Sequence, residues 1–166
     1  MANIGLILPA SAESSGELII CACDTTDGWT KLNGMPDNPL TITTEKAQAQ
    51  SDDGAVGTNV DNGFLKAYYT LPEAMDITGY KNIEWDSCFT NNMWASIVEK
   101  YAGQLYLRLF SDGNDPTNNQ SNSLIFNFEK LEVTKIDDNW VHIKAPLDDA
   151  SIDRNFNPKA FTAFRF

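Results

Sequence analysis

Residues Asp76 to Phe89 read DITGYKNIEWDSCF, a tight Gly-containing turn that runs directly into a strand of alternating character. Ile83, Trp85 and Phe89 fall on one side of that strand and Glu84 and Asp86 on the other, because successive side chains of an extended chain point to opposite faces. Outward from this stretch the pattern returns. Leu105, Leu107 and Leu109 alternate with Tyr106 and Arg108, and Leu124, Phe126 and Phe128 with Asn127 and Glu129. In the stretch Asn139 to Asp148, NWVHIKAPLD, Val141 and Ile143 oppose His142 and Lys144. Strands with one apolar and one polar face belong to antiparallel sheets that cover a core on one side and meet water on the other.

Runs of this kind, separated by clusters of Gly, Pro, Asn and Asp, predict strands at Leu18–Cys23, Leu40–Thr44, Ala55–Thr58, Phe64–Leu71, Asn82–Phe89, Gln104–Phe110, Ser123–Phe128, Trp140–Ala145 and Phe161–Phe166. Many short strands in one domain mean an all-β antiparallel sandwich or barrel. One segment departs from period two. In Asn91–Tyr101, apolar residues recur at Met93, Ile97 and Tyr101 and at Trp94 and Val98, the spacing of a short helix with Asn91 or Asn92 as N-cap. Trp94 on such a helix is either an exposed anchor for a sugar or partner, or a core residue closing one end of the sandwich. Residues 1–16 read as an extended N-terminal arm, and residues 17–166 as the domain.

A chain of 166 residues is one domain and buries about 70% of its unfolded surface, enough to fold without a metal or disulfide. With 23 acidic and 12 basic side chains the formal net charge is -11, which repels phosphate backbones and anionic headgroups. Nucleic acid and membrane surfaces are therefore excluded as partners, and neutral polysaccharides or protein subunits remain. The opening MANIGLILPASAESS has no basic n-region and too short an apolar run for a signal peptide, so the compartment stays open. Cys21 and Cys23 are two apart in an extended run, too far for a relaxed bridge, and are read with Cys88 as buried thiols. A zinc site from these and His142 lacks a second pair at finger spacing. The loop Ser111–Asn122 holds no apolar residue and is expected in solvent. Its Asp112, Asn114 and Asp115 begin like a calcium loop, but Pro116 and Ser123 occupy ligand positions, so an EF-hand is rejected.

Three segments carry a resemblance. They are Asp24-Thr25-Thr26-Asp27-Gly28-Trp29, Asp76-Ile77-Thr78-Gly79-Tyr80, and Asn139-Trp140-Val141-His142-Ile143 followed by Pro146-Leu147-Asp148. Together the chain from about residue 18 onward resembles the jelly-roll carbohydrate-binding modules of the galactose-binding-like superfold. The resemblance implies a jelly-roll β-sandwich, a non-catalytic role and a glycan ligand, and it admits a structural calcium held through Asp24 or Asp27. No other cofactor is expected. Such modules usually finish with a further strand, so either the chain continues, or the arm or a neighbouring subunit fills the edge beside Arg165-Phe166.

Carboxylates and amides take sugar hydroxyls in pairs and an aromatic ring stacks on the apolar face of a pyranose. The candidate ligand-binding residues are accordingly Glu84, Asp86, Arg108 and Asn127 for hydroxyls, with Trp94 and Tyr106 for stacking; the strands carrying them can belong to different sheets, so they need not all converge, and ordinary solvated sheet surfaces show the same alternation. Catalysis is not expected. His142 is the single histidine and no nucleophile turn accompanies it. Glu84-Trp85-Asp86 resembles the first half of an endoglucanase acid strand, but Cys88 stands where the next acid belongs. The other reading open to the sequence is a structural subunit of an assembly, such as a phage capsid decoration, head-fibre or tail protein, docked through its arm.

Overall fold

The computed structural model describes residues 4–9, 17–21, 25–32, 41–43, 55–57, 67–88, 106–111, 113–118, 122–137, 140–153 and 155–166. Their strands are β1 (Ile4–Pro9), β2 (Glu17–Cys21), β3 (Trp29–Lys31), β4 (Thr41–Thr43), β5 (Ala55–Gly57), β6 (Ala67–Met75), β7 (Asn82–Cys88), β8 (Tyr106–Ser111), β9 (Ser123–Asn127), β10 (Glu132–Lys135), β11 (Trp140–Pro146), β12 (Ser151–Asp153) and β13 (Phe161–Arg165). Among the described residues the only helical elements are 3-10 turns at Phe128–Lys130, Leu147–Asp149 and Pro158–Ala160. The helix expected at Asn91–Tyr101, and Trp94 with it, lies outside the described residues.

The strands form two antiparallel sheets. The first has the order β10-β11-β7-β1-β5-β4, with β2 also paired to β1, and the second the order β12-β9-β8-β13-β6-β3. Their inner faces share one apolar cluster. Ile83, Trp85, Ile143 and Ala145 enter it from the first sheet, and Leu107, Leu109, Phe126 and Phe164 from the second. The Trp85 ring lies 5.8 Å from those of Phe128 and Phe166, which ties β7 to segments bordering the second sheet. Phe166 in turn meets Phe164 at 5.7 Å, and Trp29 packs edge-on against Phe164 at 5.3 Å and beside Tyr69 at 5.5 Å. Each fully buried aromatic or aliphatic side chain contributes roughly 1.5–3 kcal/mol by leaving water. The period-two apolar sets of the sequence are therefore this core.

Two features lie beyond the sequence-based expectations. Within the stretch read as an arm, Ile4–Pro9 forms β1, which runs antiparallel to β7 with Leu6 opposite Trp85 and Ile7 opposite Glu84. The last strand, β13, is paired along both edges, with β6 on one side and β8 on the other. The open edge expected beside Arg165 is thus filled from within the chain.

The turns that feed the two sheets are built differently. Before β3, the Trp29 amide donates to the Thr26 carbonyl (3.1 Å) and Gly28 adopts φ +79°. A Cβ there would meet Tyr69 Cε2 at 2.7 Å, so both the backbone conformation and the space demand glycine. Before β7, Asp76 Oδ1 accepts from the Thr78 amide (2.9 Å) and hydroxyl (2.7 Å), and the Tyr80 amide donates to the Ile77 carbonyl (3.2 Å). These bonds, the Thr78 hydroxyl's first, hold the exposed Asp76 carboxyl below its ordinary pKa. Here a Cβ on Gly79 would meet nothing within 4 Å. An aspartate side chain, not a glycine, shapes this turn.

Candidate functional site

Seven residue pairs link β7 to β11, and the register sets Asp86 opposite His142 and Glu84 opposite Lys144. Acid-x-acid on one strand thus meets base-x-base on its neighbour. His142 Nδ1 lies 2.8 Å from Asp86 Oδ1, and His142 Nε2 lies 3.3 Å from Glu84 Oε2. Lys144 Nζ stands 3.5 Å from Glu84 Oε1. Only the imidazolium form donates from both ring nitrogens, so a histidine between two carboxylates favours its charged state. The pKa of His142 is accordingly raised, chiefly by the hydrogen bond to Asp86 and against the opposing effect of burial. Asp86 is only 3% exposed, although alternation places it on the outer face.

The outer face of the second sheet is built from β9, β8, β13 and β6. Tyr106 stands opposite Asn127, and a row across the strands runs Ile125, Arg108, Arg165, Tyr68. The guanidinium carbon of Arg108 lies 5.1 Å from the centre of the Tyr106 ring, and that of Arg165 lies 5.3 Å from the Phe110 ring. Such cation–ring contacts draw a charged group toward the face of a neighbouring ring. Arg165 is 3% exposed and donates from Nη1 to the Pro116 carbonyl at 2.6 Å. Burial lowers its pKa, with the like charge of Arg108 acting in the same direction and the Tyr106 hydroxyl against it. Tyr106, Arg108, Ile125, Asn127 and Tyr68 are half-buried, with the Arg108 Nε sealed from solvent.

The loop that delivers Pro116 was expected only to be solvated. Its amides are ordered by its own side chains: Asp115 Oδ1 accepts from the Thr117 amide (2.8 Å) and hydroxyl (2.7 Å), and the Asn114 side-chain amide donates to the Ser111 carbonyl. The Thr117 bonds lower the pKa of exposed Asp115. A further bond, from the Asn157 amide to Ser111 Oγ (2.9 Å), ties the loop's root to the segment entering β13.

The sequence-based candidates therefore separate. Glu84 and Asp86 lie on the outer face of the first sheet, and Tyr106, Arg108 and Asn127 on that of the second. Because the two inner faces share one core, these outer faces look away from each other and cannot converge on one ligand. Trp94 and Asp24 lie outside the described residues, and Asp27 is exposed in the turn before β3, its amide 3.3 Å from Thr25 Oγ1. Among the described residues no group of three metal-ligating side chains occurs. Of the cysteines, Cys21 is buried, while Cys23 lies outside the described residues.

Sequence reasoning treated His142 and Lys144 as polar surface and passed over Tyr68 and Arg165. The signal for the first pair was present. Glu84-Trp85-Asp86 and His142-Ile143-Lys144 have matched spacing and opposite charge, which is what antiparallel neighbours in register show. Comparisons with protein-family models, with curated proteins and with solved structures find no match, so the reading of the site rests on this geometry.

Proposed function

We propose that this domain is a non-catalytic carbohydrate-binding or adhesion module of jelly-roll type, and that its ligand lies on the outer face of the second sheet. The path of the chain supports the fold: β6, β7 and β8 alternate between the sheets, β8 and β9 form a neighbouring pair, β11 returns to the first sheet and β13 closes the second between β6 and β8. The observation that carries the function is the half-buried platform of Tyr106, Arg108 and Asn127 on rigid, paired strands. An aromatic ring beside a guanidinium suits the stacking of a pyranose, and an amide on the neighbouring strand suits its hydroxyls. Glu84 and Asp86 leave the proposed site, since their oxygens are engaged by His142 and Lys144.

Affinity gel electrophoresis against a panel of plant and microbial polysaccharides tests the reading. Retardation by at least one polymer, reduced by Tyr106→Ala, is the expected result. Uniform mobility across the panel would overturn it. The alternative of an assembly subunit docked through its arm loses one support, because Ile4–Pro9 is paired within its own sheet.

A further inference from the structure

Tyr68 differs from the other rings on the outer face of the second sheet. It stands opposite Arg165 across β6 and β13, and opposite Thr30 across β6 and β3. Its neighbours Ala67 and Tyr69 pack inward, the first fully buried and the second stacked on Phe164, so alternation turns Tyr68 outward. The Tyr106 ring carries the Arg108 guanidinium over it, and the Phe110 ring that of Arg165. Tyr68 carries neither: it makes no ring contact and no side-chain hydrogen bond, and its hydroxyl is not sealed from solvent. Thr30 and Thr70, beside it on the same face, are exposed, and their hydroxyls make no hydrogen bond either. The charge across from Tyr68, that of Arg165, is only 3% exposed. An open phenol ring flanked by two unpaired hydroxyls suits an uncharged ligand that has apolar ring faces and many hydroxyls.

We infer that Tyr68, with Thr30 and Thr70, is a second stacking position on this face, and that the ligand is a neutral glycan chain of several units running from Tyr106 to Tyr68. The inference rests on the glycan reading and extends it. Tyr68 lies level with Arg108, so it is two residues along and two strands across from Tyr106. At about 4.8 Å per strand and about 3.4 Å per residue, the backbones are about 12 Å apart. One six-membered ring with bonds of about 1.5 Å cannot lie on both positions, whereas linked rings can. Contact at two places on one chain makes the second binding event intramolecular, so a chain is held far better than a single sugar. A formal net charge of -11 favours an uncharged chain over a polyanion.

The test embeds galactomannan, xyloglucan, a mixed-linkage β-glucan or polygalacturonate in native gels. The full chain is expected to be retarded by at least one of the three neutral polymers. Hexasaccharides cut from that polymer should release it, and the constituent monosaccharides, at the same concentration of sugar units, should not. Tyr68→Ala is expected to weaken retention about tenfold, whereas Tyr68→Phe, which keeps the ring, retains most of it. Retention that Tyr68→Ala leaves intact, or that monosaccharides release as well as hexasaccharides do, overturns the inference and leaves the glycan reading standing. Retention confined to polygalacturonate does the same. No retention by any polysaccharide, here or across the wider panel, overturns both. If Tyr68→Ala fails to fold, as read by near-ultraviolet circular dichroism, the comparison of hexasaccharide with monosaccharide on the unaltered chain still decides.

Discussion

On the outer face of the first sheet acids meet bases in register, and the charges are used up among themselves. On the outer face of the second sheet, like charges meet in register, held apart from collapse by rings and a loop carbonyl. His142 reaches both Asp86 and Glu84, and Asp86 is sealed from solvent. Arg108 leans on Tyr106 and is half-buried, its Nε out of reach of solvent. Both faces come from the same alternating pattern, yet one joins acids to bases across two strands and the other sets two guanidiniums side by side against aromatic rings. A polar side chain on a sheet's outer face is a ligand candidate only when its own fold leaves it something to donate or accept.

The sharpest way to break this contrast is to disable each face in turn. Asp86→Ala leaves the imidazole without its main partner in a buried position, and should cost about 2–3 kcal/mol of stability in urea unfolding. An effect on polysaccharide retention without that loss would reverse the roles assigned to the two faces. Next in size, Gly28→Ala should cost about 2 kcal/mol, because it forces a side chain into a left-handed backbone and against Tyr69 below the second sheet. Its counterpart Gly79→Ala, in the turn feeding the first sheet, should stay within about 0.5 kcal/mol.

The histidine fastening also has a direction in pH. His142 has its pKa raised in the folded state, so its contribution is fully present below the unfolded value near 6.5 and is lost as pH rises through the higher folded value. The urea midpoint of the native protein should therefore fall as pH climbs through the range just above 6.5, and His142→Gln should flatten that slope. A slope that survives the substitution would place its origin elsewhere. Arg108→Gln should change stability by under about 1 kcal/mol in the same urea unfolding.

Much of this molecule is legible in its residues. The alternation in Asn82–Phe89 and Gln104–Phe110 marks Trp85, Leu107 and Leu109 as core, because a two-residue period leaves little choice of face. What alternation does not carry is which sheet a strand joins or what lies over its outer face. Glu84 and Tyr106 were grouped on chemistry alone, and only strand pairing reveals that they face opposite ways. Asp86 reads as solvated by pattern and is buried by packing. β1 is hidden because Ile4, Leu6, Ile7 and Leu8 form a uniformly apolar run with no polar alternation, leading into the small residues of Ala10-Ser11-Ala12 that read as an arm. Arg165 was missed for a similar reason: its importance comes from a loop carbonyl and a strand both distant in sequence.

The placement of β13 between β6 and β8 bears on how the protein comes to be made. Synthesis delivers β6 and β8 well before the strand that joins them, so a nascent chain holds the second sheet as two halves with open edges. Arg165 arrives with that joining strand, and until it does the pair of guanidiniums and the bond to the Pro116 carbonyl are missing. Any recognition on this face would then depend on the joining strand being in place, and so on the second sheet being whole.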